Sequence, residues 1–216
     1  MSSCCSRSCA AIEGNFDARV AERDLADYRK KGAGATAILL LDGIAASGGA
    51  GATLLDVGGG IGALSFELLE RGATRAVIVD ASAAYIAAGR GEAERRQRGA
   101  QIEWLHGDYV ALAASLPPAD TVTLDRAVCC DRRFEAVLNA AAGQARRCLA
   151  LSYPRDRWYV RLGQAGENAL RALRGSEFRV FLHPPERMQQ LIESHGFALA
   201  ARRTTAVWCA DVYRTH

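Results

Sequence analysis

Between residues 53 and 153, short apolar runs alternate with longer amphipathic stretches. Residues 53–57, 76–80, 101–105, 120–124 and 148–153 are compact hydrophobic runs, which predicts strands. Residues 62–71, 82–98 and 134–147 carry apolar positions at helical spacing, and a short helix is expected up to Ser115, ahead of the breaker Pro117-Pro118. Strands separated by helices at this spacing imply right-handed crossovers and a parallel, doubly wound α/β sheet. Before it, residues 12–31 (Phe16, Val20, Leu25 and Tyr28 among charges) read as one amphipathic helix and 36–46 as a second. After it, residues 157–173 form a long helical pattern with arginines on one face. Residues 178–182 read as extended and 184–195 as a helix. Residues 197–203 and 207–213 are β-rich runs joined by Thr204-Thr205-Ala206, the pattern of an antiparallel hairpin on the end of the sheet. Seven strands are therefore expected, mostly parallel.

Composition narrows the setting. The chain has 216 residues, half of them hydrophobic, enough for one domain with a large core. Net charge is +3 and the basic residues are scattered, so nothing indicates a nucleic-acid partner. No apolar stretch approaches the roughly 20 residues that span a bilayer, so no membrane insertion is expected. The start, with Cys4, Cys5 and Cys9 among serines, lacks the apolar core of a secretory signal, and a cytoplasmic location is the expectation. The seven cysteines are odd in number and include two adjacent pairs, a poor disulfide framework, so thiols are expected. Residues 1–10 read as a flexible, cysteine-rich tail.

The chemistry concentrates after the first strand. Asp56 ends the apolar run, and Gly58, Gly60 and Gly62 follow at every second position before Ala63 opens a helix. Glycines there admit dihedrals closed to other residues and leave no Cβ between main chain and ligand. The spacing Gly58-x-Gly60-x-x-Ala63 fits the dinucleotide fingerprint of nicotinamide-dependent oxidoreductases. The spacing Asp56-x-Gly58-x-Gly60-x-Gly62 equally fits the class I S-adenosylmethionine-dependent methyltransferases. Asp80 ends the second strand, where a carboxylate accepts from both hydroxyls of a ribose or, alternatively, caps the helix after Ala81.

Further positions resemble the methyltransferases. Gly107-Asp108-Tyr109 after the third strand is similar to their adenine site, and Asp125 closes the fourth strand, where that family exposes donor and acceptor. Phe16-Asp17, Tyr28-Arg29-Lys30-Lys31-Gly32, Leu124-Asp125-Arg126 and Ser152-Tyr153-Pro154-Arg155 resemble the group around magnesium-protoporphyrin O-methyltransferase. Cys129-Cys130-Asp131-Arg132 stands where the porphyrin enzymes carry a His, so fold and cofactor carry over and the porphyrin does not.

The resemblance implies a Rossmann-like methyltransferase domain over 51–216, with an N-terminal helical lid at 11–50 and an acceptor-side insertion at about 155–183. The cofactor would be S-adenosyl-L-methionine, with S-adenosyl-L-homocysteine as product. Its expected contacts are Asp56, Gly58, Gly60, Gly62, Asp80, Ala81, Gly107, Asp108, Tyr109 and Asp125. Tyr28 and Asp125 are the catalytic candidates, acting on a small-molecule acceptor at oxygen. Other candidates are His106 and His183, and Arg155, Arg157 and Arg161 for an anionic group on the acceptor. Cys129 and Cys130 suit either buried packing or a thiolate site for a soft acceptor or metal, which Cys4, Cys5 and Cys9 could join. No metal site and no oligomeric state are read from the sequence.

Overall fold

The computed structural model describes residues 7–215. Among them, β1 (Thr53–Val57), β2 (Arg75–Asp80), β3 (Ile102–His106), β4 (Ala119–Leu124), β5 (Ala145–Pro154), β6 (Phe197–Thr204) and β7 (Trp208–Thr215) form one sheet. The order is β3-β2-β1-β4-β5-β7-β6. β1 to β5 pair in parallel, while β7 lies antiparallel between β5 and the edge strand β6. The doubly wound, mostly parallel sheet and its reversed C-terminal hairpin are as the sequence predicts.

Both faces are covered, which is why the strands read as near-continuous apolar runs. Successive side chains go to opposite layers: Leu54 and Ile78 to one, Leu55, Val57, Val77 and Val79 to the other. The first layer is α3 (Ala35–Ala46), α4 (Ala63–Glu70) and α5 (Ala83–Arg95); the second contains α6 (Tyr109–Leu112), α7 (Phe134–Gln144) and α9 (Pro185–Glu193). α1 (Arg7–Asn15) and α2 (Ala18–Lys31) lie at the carboxyl end of the parallel strands, as does α8 (Trp158–Leu173).

Four expectations are corrected. The predicted 12–31 helix is two helices, because the Asp17 carboxylate caps α2 by accepting from the Val20 N–H at 3.0 Å. Residues 7–10 belong to α1, so only residues 1–6 of the expected tail lie outside the described residues, and Cys4 and Cys5 with them. Cys9 is buried and disulfide-bonded rather than a thiol, since an odd total does not exclude one bridge. Finally, the 11–50 segment is not uniformly a lid. α3 is a core helix: Leu40 and Ile44 are buried, and a Cβ on Gly43 would lie 2.8 Å from Val212 of β7.

Two boundaries also move. β5 begins at Ala145, because the exposed Arg146 and Arg147 imitate the basic last turn of a helix. Residues 178–182 join no strand. Phe181 donates its N–H to the Cys129 carbonyl at 2.8 Å, and Val180 exchanges hydrogen bonds with the Asn168 side chain at 2.8 and 3.1 Å.

Candidate active site

The sheet order reverses between β1 and β4, and the glycine turn follows β1 at that point. A crevice outside the carboxyl ends of the strands is the expected place for a ligand. It encloses about 1080 Å³ and is floored by Val57–Ile61, Asp80-Ala81, Gly107–Val110 and Asp125–Ala127.

The turn is held by its own acids. Gly58 (φ +65°) donates its N–H to the Val79 carbonyl at 2.8 Å, and a Cβ there would lie 2.7 Å from the Ala127 Cβ. Gly60 (φ +58°) donates to Asp80 Oδ2 at 2.8 Å, and its missing Cβ would face open space. Ser82 N–H donates to Asp80 Oδ1 at 2.7 Å. Burial pushes the Asp80 carboxyl up, against the pull of these amides. Both readings of Asp80, crevice acid and anchor of the chain entering α5, describe the same side chain.

Asp56 lines the crevice but serves the scaffold. Its Oδ2 accepts from Ser65 Oγ at 2.8 Å and its Oδ1 from Thr123 Oγ1 at 2.7 Å. Burial pushes its carboxyl up to about 6. A carboxyl that folding raises from 3.8 to about 6 binds its proton more tightly in the folded chain than in the unfolded one. Its contribution therefore falls as pH rises from about 4 to about 6, by on the order of 2–3 kcal/mol. Asp56→Asn should remove this loss: the stability difference, variant minus parent, should grow across pH 4–7 in denaturant melts. A difference flat with pH would refute the assignment.

Gly62 (φ +83°), expected to face the cofactor, turns into the core, where a Cβ would lie 2.8 Å from Trp104 and 3.0 Å from Ile78. Gly59, not singled out in the sequence, lines the crevice. Ala81 lines it too, with its carbonyl 3.0 Å from His106 Nε2. Tyr109 is buried and donates its hydroxyl to Gln144 at 2.5 Å, so its ring, not its hydroxyl, is available.

Asp108 caps α6 through the Val110 N–H at 3.0 Å. It also accepts from Arg133 at 2.9 and 3.1 Å, and Arg133 reaches Asp131 at 2.7 Å. The sequence offers Arg133 as a partner for Asp125; the structure pairs it with Asp108 instead, 25 residues away with no local pattern to link them. Gly107 (φ +154°) donates to the Asp80 carbonyl at 3.0 Å, which ties the third-strand loop to the second.

At the mouth of β4, Ser152 Oγ donates to Asp125 Oδ1 at 2.5 Å and accepts from the Arg126 N–H at 2.8 Å. Arg126 sits at φ +55°, uncommon for a residue with a side chain. The Cys129 and Cys130 thiols both donate to its carbonyl at 3.3 Å. These bonds fix the conformation from both ends, as strained backbone at a functional site requires. The contact with Cys130 and burial raise the Cys129 thiol well above its ordinary value, the opposite of a thiolate nucleophile. Among the described residues, no cluster of three or more His, Cys, Asp or Glu could hold a metal ion.

The other candidates are engaged by structural partners. The Tyr28 hydroxyl lies 3.3 Å from Glu67 and its ring stacks on Phe66 under the Arg96 guanidinium. Burial raises its phenol, and these contacts pack Tyr28 between α2 and α4 at the edge of the crevice. His183 Nε2 lies 3.0 and 3.1 Å from the Asp131 and Val128 carbonyls and pins the 128–131 turn. Arg155 donates to the Thr205 carbonyl and Arg161 pairs with Asp156, so neither points to an acceptor.

α1 and α2 roof the crevice. Ser82 Oγ donates to the Phe16 carbonyl at 2.6 Å, and Tyr85 donates its hydroxyl to Asp24 at 2.6 Å. Phe16 meets Phe178 edge-on at 5.3 Å, closing the roof against the chain after α8. Arg29 of α2 pairs with the buried Glu92 at 2.8 Å; Arg95, Arg96 and Arg29 together hold the Glu92 carboxyl down to about 2.

The fold is the Rossmann-like one shared with solved methyltransferases. Residues 54–150 match the family described as "Methyltransferase domain". A 93-residue stretch is 34% identical to the ubiquinone/menaquinone biosynthesis C-methyltransferase UbiE of Roseobacter denitrificans; the match spans 43% of this chain and only 37% of that protein. Among solved structures, magnesium protoporphyrin IX methyltransferase from Synechocystis with bound S-adenosylhomocysteine superposes with a TM-score of 0.73 at 19% identity, over 96% of this chain and 99% of that one. An O-methyltransferase family 2 protein from Planctomyces limnophilus in complex with apigenin gives 0.67 at 20%, over 97% and 65%.

Proposed function

We propose that the whole chain is a methyltransferase that moves the methyl of S-adenosylmethionine to an oxygen of a small-molecule acceptor. The observation that carries this reading is the floor of the crevice. Bare backbone at Gly58–Gly60 is held by Asp80, and Asp108 waits across the same opening, the set an adenosyl nucleoside needs. The bound donor supplies the electrophilic methyl carbon. The protein's part is to hold Asp80 toward the ribose and Asp108 toward the adenine amine. It also keeps the acceptor in line and dry under α1 and α2, which act as the lid.

Asp125, oriented by Ser152, is the positioning acid at the mouth of β4. Arg126 supplies charge beside it. The other cations lining the crevice have acid partners: Arg23 with Asp24, Lys31 with Asp27, Arg171 with Glu167, and Arg133 with Asp108 and Asp131. Arg126 meets no carboxylate among the described residues, which suits an acceptor bearing an acidic group. The raised Cys129 thiol speaks against a soft-nucleophile reaction. The methyltransferase match and the two-acid crevice speak against a nicotinamide oxidoreductase.

Titration calorimetry tests the donor: S-adenosylhomocysteine should bind and NAD should not. The reverse result would end the proposal. Turnover of phenols and carboxylates, compared with thiols, tests the acceptor atom.

A further inference from the structure

α8 is amphipathic the wrong way round for a helix that packs on a domain. Its polar side meets the protein: Gln164, Glu167 and Arg171 line the crevice, and Asn168 bonds the Val180 backbone. Val160 is its one buried apolar residue. The opposite side is apolar and open to solvent, with Trp158 76%, Leu162 66%, Leu170 46% and Leu173 86% exposed. At 100° per residue these four fall within one stripe about 120° wide. Exposed Val207, on the hairpin turn that accepts the Tyr159 hydroxyl through Ala206, extends the apolar surface. Scattered surface leucines need no explanation, but a contiguous stripe on one helix does.

Charge indicates the occupant. Residues 155–179 contain six arginines (155, 157, 161, 171, 174 and 179) against Asp156, Glu167 and Glu177, a balance of +3. This equals the net charge of the whole chain, so the remainder is neutral. Arg161 and Arg174 fall on the two flanks of the stripe at the same angular spacing. A second copy would set this positive patch against itself. A convex single helix, with Trp at one end, leucines along it and arginines beside it, has the build of an element that lies in a lipid interface. At 16 residues it is too short to span, and no helix of the described residues is long and apolar enough to cross a membrane.

We infer that α8 docks the protein on an anionic bilayer surface, with Trp158, Leu162, Leu170 and Leu173 in the headgroup boundary. The crevice opens under the same helix, so an amphiphilic acceptor, apolar in body with an acidic group, can pass from the lipid into it. This last step rests on the methyltransferase reading; the docking does not.

Cosedimentation of the full chain with vesicles of phosphatidylcholine and phosphatidylglycerol (3:1) tests it. Binding should exceed that to pure phosphatidylcholine by about 100-fold, from three uncompensated charges, and should fall with added salt. The double variant Trp158→Ser, Leu162→Ser should lose at least tenfold. Its thermal midpoint and S-adenosylhomocysteine affinity should stay unchanged, because both side chains are exposed. Equal binding of parent and variant, or no preference for the anionic vesicles, would overturn the inference. A concentration-dependent dimer abolished by the same substitutions would also overturn it and give the face to a second copy.

Discussion

Asp80→Asn should weaken S-adenosylhomocysteine binding by about 100-fold or more in titration calorimetry, with a much smaller change in stability. The carboxylate offers two oxygens, each already accepting one backbone N–H, from Gly60 and from Ser82. Each oxygen keeps a second lone pair for a ribose hydroxyl. A hydrogen bond to a charged group contributes about 1.5–3 kcal/mol, so two of them correspond to a factor of about 100 or greater. The amide of Asn removes the charge and turns an NH₂ toward one of the two backbone donors, so the Gly60 turn loosens as well. If Asp80 were only the anchor of α5, the variant would lower the thermal midpoint and leave affinity within a factor of a few. That result would reduce the donor site to the glycine turn alone.

The elements that were legible in the sequence are those set by local rules. β1, β2 and β4 are apolar runs because both faces of the sheet are covered, and the glycine turn needs positive φ at Gly58, Gly60 and Gly62. Asp56, Asp80 and Asp108 stand at strand ends, where topology converges. What was not legible depends on contacts far apart in the chain. The Arg133–Asp108 pair joins α7 to the third-strand loop, and the Ser152 hydroxyl links β5 to Asp125 and Arg126. The surroundings of Tyr28 were hidden for the same reason, since Glu67, Phe66 and Arg96 reach its hydroxyl and ring from other helices. The α8 pattern showed amphipathy in the sequence, but amphipathy does not say which side faces the protein.

The glycines give the second large effect, because two neighbours of the same turn should fail in opposite ways. Gly62→Ala should cost about 2–4 kcal/mol of stability. A side chain at φ +83° brings about 1–2 kcal/mol of backbone strain, and a Cβ 2.8 Å from Trp104 adds overpacking of similar size. For a chain of this length that is a fall in thermal midpoint of roughly 5–15 °C. Gly60→Ala meets the same backbone strain but no neighbour within 4 Å, so its stability cost should be about 1–2 kcal/mol. Its methyl group instead enters the space where the donor lies against bare backbone, and S-adenosylhomocysteine affinity should drop at least tenfold. Calorimetric titration beside thermal melts of both variants separates the two roles. Equal affinity in Gly60→Ala and the parent would mean that the ligand does not approach the turn at residue 60, and the donor-binding floor would have to be placed elsewhere in the crevice.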